Sequence, residues 1–122
     1  MSRRVLIVDD APITRLMIKD ILEFHGYKVV AEANNGREGV DKYRELKPDV
    51  VTMDIVMKEK DGIAALKEIL AIDRKAKVVM ISAIDQRELL MDAIRSGATD
   101  YIVKPFEHER VISAIKKALG ET

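Results

Sequence analysis

Three carboxylates, a hydroxyl and an ammonium carry the chemical promise of this sequence. Asp9 and Asp10 stand side by side after the apolar run Val5-Leu6-Ile7-Val8. Asp54 follows VVTM at 50–53, Ser82-Ala83 follows KVVMI at 77–81, and Lys104-Pro105 follows YIV at 101–103. Adjacent like charges repel, so a cluster of Asp9, Asp10 and Asp54 makes physical sense where a cation sits among them. There is no cysteine and there are only two histidines, so the donors make a hard oxygen site suited to Mg²⁺ or Mn²⁺ rather than zinc. Mg²⁺ keeps several waters and commonly shares its shell with a phosphate. A cation beside a carboxylate, with a hydroxyl and a lysine opposite, is a phosphoryl-transfer layout, in which catalysis is mostly positioning and charge neutralisation. Aspartate can itself be the nucleophile and form an acyl phosphate. Taken singly, each residue has a plainer explanation: a lone Asp after a strand is most often a cap or turn residue, and a lone Ser or Lys there is simply solvated. Their recurrence at four strand ends gives the set its weight.

For these residues to meet, the chain must bring those strand ends to one rim. Short apolar, β-rich runs lie at 5–8, 28–33, 50–53, 78–81 and 101–103, and stretches with helical spacing alternate with them. Leu16, Met17, Ile21 and Phe24 are expected to share one helical face, Val40, Tyr43 and Leu46 a second, and Leu66, Ile69 and Leu70 a third. Leu89, Leu90, Ala93 and Ile94 form the next, and Val111, Ile112, Ile115 and Leu119 the last. Pro12 suits a first helical turn, Gly26 and Gly97 follow helix ends, and Asp61-Gly62 marks a turn before a helix. Five βα units in series predict an α/β fold, a single-domain (βα)5 doubly wound parallel sheet covered by helices on both faces. Ligands of such sheets bind beyond the carboxyl ends of the strands. Strand order does not follow from periodicity.

At 122 residues the chain is long enough for one domain with a real core. Lys plus Arg and Asp plus Glu balance at 21 each, which gives no support for a nucleic-acid or membrane-surface partner. Nothing points to secretion or disulfides, and no segment approaches a membrane span. The expectation is a cytoplasmic, monomeric domain over 1–122. The apolar run after Ser2-Arg3-Arg4 is too short for a signal peptide.

The blocks LIVDD at 6–10, TMDIVM at 52–57 with DG at 61–62, ISA at 81–83 and DYIVKPF at 100–106 occur in order. On these blocks the whole chain resembles the receiver domain of two-component response regulators, in its stand-alone chemotaxis form. The resemblance implies a flavodoxin-like sheet of order 2-1-3-4-5. It implies that Asp54 accepts the phosphoryl group from a phosphohistidine on a histidine kinase. Asp10 becomes a direct Mg²⁺ ligand, Asp9 holds metal-bound water, and the backbone carbonyl of Val56 completes the protein's share. Lys104, Ser82 and Ala83 become phosphate-binding, Ser82 and Tyr101 a coupled switch, and Lys104-Pro105 a cis peptide. The output is a changed surface on the fourth helix, fifth strand and fifth helix, read by a downstream motor, switch or adaptor protein. Lys58 stands where the family usually has proline, and the apolar Val56 and Ile84 offer no side chain to orient an attacking water.

A haloacid-dehalogenase-like phosphatase is disfavoured, because Val56 occupies the place of its second aspartate. A pseudo-receiver that works through its surface alone is disfavoured, because Asp9, Asp10, Asp54, Ser82 and Lys104 are all present. A phosphorelay intermediate stays open beside chemotaxis output, as does a receiver drawn from a longer regulator. His25, at a helix end, and His108, in the first turn of the last helix, read as solvated residues rather than phosphoryl donors.

Overall fold

The computed structural model describes residues 3–121, so Met1, Ser2 and Thr122, the ends of the expected domain, lie outside the described residues. Ten elements alternate: β1 (Arg4–Val8), α1 (Pro12–Phe24), β2 (Lys28–Ala33), α2 (Gly36–Leu46), β3 (Val50–Asp54), α3 (Gly62–Ile72), β4 (Val78–Ala83), α4 (Arg87–Arg95), β5 (Asp100–Lys104) and α5 (His108–Ala118). The strands are parallel and lie in the order β2-β1-β3-β4-β5. No helix among the described residues is long and apolar enough to cross a membrane.

The period of two in β1 divides the core. Leu6 and Val8 point into a cluster with Val40, Tyr43, Leu66, Ile69, Leu90 and Ala93, which puts α2, α3 and α4 on that face. Val5 and Ile7 point the other way, against Ile18 and Leu22 of α1 and Val111 and Ile115 of α5. All four β1 side chains are at most 1% exposed, and each such burial stabilises the fold by about 1.5–3 kcal/mol. The strand carrying Asp9 at its tip is therefore anchored from both sides.

The face expected for α1 is wrong except at Ile21, which packs partly buried against the core. Ile18 and Leu22 are buried, whereas Leu16 is 53%, Met17 49% and Phe24 81% exposed. This helix has more apolar residues than one face can hold, and the side that fits the sheet is set by the i, i+4 pair Ile18 and Leu22. The strands also run past their apolar residues. Asp54 pairs with Ile81, Ser82 with Val103 and Ala83 with Lys104, so these site residues stand on hydrogen-bonded backbone rather than in loops.

The β3–α3 connection is packed tightly beneath the rim. Asp61 caps α3 by accepting from the Ala64 amide at 2.9 Å, and the Gly62 amide donates to the Ile55 carbonyl at 2.7 Å. A Cβ on Gly62 would lie 2.0 Å from the Asp54 carbonyl oxygen and 2.8 Å from Ile55 Cα. The Gly36 amide at the start of α2 donates to the Lys60 carbonyl at 3.1 Å, in a loop where Glu59 and Lys60 both take positive φ, 49° and 83°. Gly62→Ala is therefore expected to destabilise the fold by about 3 kcal/mol, since backbone rather than a side-chain tip must move. Urea denaturation checks this, and a loss below about 0.5 kcal/mol would contradict so close an approach.

Candidate functional site

Each carboxylate is set by local structure. Asp9 lies just past β1 and is fully buried; its Oδ1 accepts from the Ala11 amide at 2.9 Å. Its backbone is pinned by Arg15, which donates to its carbonyl at 2.7 Å, and by its own amide, which donates to the Ala33 carbonyl at 3.0 Å. Asp10 is exposed. Asp54, the last residue of β3, is 6% exposed. One ligand oxygen from each of the three lies within 4.8 Å of the others, the one grouping of at least three such ligand atoms among the described residues.

Lys104, the last residue of β5, places its Nζ 3.6 Å from Asp9 Oδ2 and 3.7 Å from Asp54 Oδ1. Those are ion pairs too long for hydrogen bonds. Asp9 Oδ2 is thus buried without a hydrogen-bond partner, an unmet need that a hydrated divalent cation would satisfy. The residues present fit Mg²⁺ or Mn²⁺.

The remaining expected residues fall around this cluster. Ser82 is 1% exposed and its Oγ also lacks a partner. The Ala83 amide is engaged, donating to Gln86 Oε1 at 2.8 Å. The Lys104–Pro105 peptide is cis. The side chains of Val56 and Ile84 are 49% and 79% exposed at the rim. Tyr101 is turned outward, 42% exposed, with the Arg110 guanidinium 5.6 Å from its ring centre. Arg110 also donates to the Tyr101 carbonyl and to Asp100. Between Ser82 and Tyr101 lies a cleft of about 370 Å³, lined also by Leu90, Met91 and Ile94. Sequence reading missed Gln86 and Arg110. The first has a signal, a glutamine three residues after Ala83 just ahead of a helix; the second has none.

Burial and the charge of Asp9, and further Asp10, push the Asp54 carboxyl up to about 6, against the opposing pull of Lys104 and the Ile55 amide. A carboxylate whose folded pKa is raised holds its proton longer in the folded than in the unfolded chain. Ionising it therefore destabilises the fold, and stability is lost as pH rises from about 4 to about 6. In urea titrations with EDTA, Asp54→Asn is expected to gain up to ~3 kcal/mol over wild type at pH 7 and little at pH 4. Excess Mg²⁺ narrows the gap at pH 7; equal stability in EDTA at that pH would contradict the repulsion.

A family model, the response regulator receiver domain, matches residues 5–116. The chain is 57% identical over 120 residues to the chemotaxis protein CheY of Bacillus subtilis, covering 98% of this chain and 100% of that one. It is 56% identical over 117 residues to the chemotaxis protein CheY of Thermotoga maritima, covering 96% and 98%. Among solved structures, the Borrelia burgdorferi CheX–CheY–BeF3–Mg²⁺ complex matches with a TM-score of 0.89 and 36% identity, over 93% of this chain and 87% of that chain. A sheet of order 2-1-3-4-5, an acidic cluster at its carboxyl edge and these likenesses agree: the chain belongs to the response regulator receiver domain family and is CheY-like within it.

Proposed function

We propose that this receiver is a phosphorylatable switch in chemotaxis, acting in the cytoplasm as a monomer. A histidine kinase of the chemotaxis type supplies the phosphoryl group. An Asp54 carboxylate oxygen attacks phosphorus, the N–P bond of the kinase phosphohistidine breaks, and the imidazole leaves with the bond's electron pair and takes up a proton. Asp10, Asp54 and the Val56 backbone carbonyl would hold Mg²⁺ directly, with Asp9 acting through water. The ion supplies neutralisation of charge on the phosphoryl oxygens.

The observation that carries this reading is the position of Lys104, whose Nζ stands between Asp9 and Asp54 at 3.6 and 3.7 Å. It is free to shift onto a phosphoryl oxygen, exchanging a long ion pair for a charge-assisted hydrogen bond. Ser82 Oγ, buried and without a partner, is suited to bond a second oxygen. The Ala83 amide joins only by leaving Gln86, so its engagement and a rearrangement ahead of α4 occur together. Movement of Ser82 opens the cleft beside it to the Tyr101 ring. The α4–β5–α5 face then changes, and a downstream motor, switch or adaptor protein reads it. The protein catalyses only its own phosphorylation and dephosphorylation.

Incubation with acetyl phosphate and Mg²⁺ is expected to give a phosphate adduct by intact mass that disappears in Asp54→Ala or when EDTA replaces Mg²⁺. An adduct that survives either change would overturn the assignment. With Val56 and Ile84 apolar at the rim, hydrolytic water is poorly oriented and the acyl phosphate is long-lived. Val56→Asn should speed its decay several-fold, and unchanged or slower decay would contradict that account.

A further inference from the structure

His25 closes α1 and His108 opens α5, 83 positions away, yet their Nε2 atoms stand 2.8 Å apart. Both residues are exposed. The ring centres are 4.9 Å apart with planes at 62°. Phe24 meets both rings edge-on, at 5.3 and 6.0 Å. The pair lines a groove of about 800 Å³ along α5, shared with Glu109, Ile112 and Lys116. None of the groove's residues belongs to the carboxylate cluster.

Two imidazoles in this arrangement have two states. With one hydrogen on an Nε2, one ring donates to the other. With both hydrogens on Nδ1, the two Nε2 lone pairs face each other across the gap, and small turns of both rings would aim them at one ion held from two separate elements. A metal with nitrogens at 2.0–2.1 Å in tetrahedral geometry sets them about 3.3 Å apart, roughly half an ångström beyond the present spacing. Exposed side chains reach that by small torsions.

We propose that His25 and His108 bind one divalent transition-metal ion, tying the end of α1 to the start of α5. Imidazole nitrogen selects Zn²⁺, Ni²⁺ or Cu²⁺, whereas Mg²⁺ takes oxygen donors. This site is therefore chemically distinct from the Asp9–Asp10–Asp54 cluster. Only that cluster gathers three or more ligand atoms among the described residues, so water fills the remaining positions at the histidine pair. The ion is exchangeable and weaker than a four-ligand structural zinc. Because α5 belongs to the proposed output face, occupancy restrains the first turn of a helix that the switch must move.

The test is calorimetric titration of Ni²⁺ into the full, untagged chain, with saturating Mg²⁺ present to keep the carboxylate cluster occupied. Wild type is expected to bind one ion per chain. His25→Gln and His108→Gln should each weaken binding at least tenfold, and the double variant at least as much. Asp41→Asn, at an exposed carboxylate on α2 outside both the groove and the cluster, should retain the wild-type affinity. Far-UV circular dichroism confirms that the surface variants stay folded. No binding by wild type, unchanged binding in either histidine variant, loss in Asp41→Asn, or one ion per two chains would each overturn the intramolecular site.

Discussion

Three carboxylates forced within one ion's reach at a sheet edge are the constraint on which the rest of this molecule depends. Left alone they repel, and the one that ends β3, Asp54, is driven toward its protonated form by burial and by Asp9. A protein holds such a group only where the backbone beneath cannot relax. Here β1 and β3 are buried on both faces. The Asp9 carboxylate is fixed by the Ala11 amide, and the chain after Asp54 is closed over by Gly62, where not even a methyl group fits. The repulsion is thereby stored rather than dissipated, and a divalent cation at the cluster would relieve it.

Lys104 links this charge problem to the surface. It is the last residue of β5, three positions beyond Tyr101, and it faces two carboxylates without a short contact to either. Ser82, one strand over, keeps a buried hydroxyl unsatisfied. Unmet hydrogen-bonding capacity of this kind is costly at rest, and it marks the groups that a new acceptor would recruit first. Opposing them are contacts that hold the present surface: Gln86 on the Ala83 amide and Arg110 across Tyr101. In the proposed switch, filled contacts would bias this surface one way and charge at the cluster the other.

Much of this was legible from residue types alone. Apolar runs ending in Asp9, Asp54, Ser82 and Lys104 placed the strands, and a parallel sheet then placed their ends together. Strand order came from family resemblance. The side of α1 that packs inward was misread, because a helix bearing Leu16, Met17, Ile18, Ile21, Leu22 and Phe24 satisfies more than one apolar stripe and the sheet selects among them. The run at 28–33 matches β2 end to end, whereas the other four strands are longer than their apolar runs because pairing continues through polar residues that periodicity treats as an end. The His25–His108 contact and the reach of Arg110 to Tyr101 lie beyond any local pattern, since they depend on how α5 settles against α1 and β5.

A crystal structure of the chain with Mg²⁺ and beryllium fluoride tests the central claim most directly. The account predicts an octahedral ion with ligands at about 2.0–2.1 Å from Asp10, Asp54 and the Val56 carbonyl, and Asp9 behind a bound water. It also predicts the fluoride adduct on Asp54, Lys104 drawn onto it, and Tyr101 turned inward. An empty carboxylate cluster, or an adduct on any other residue, would contradict it.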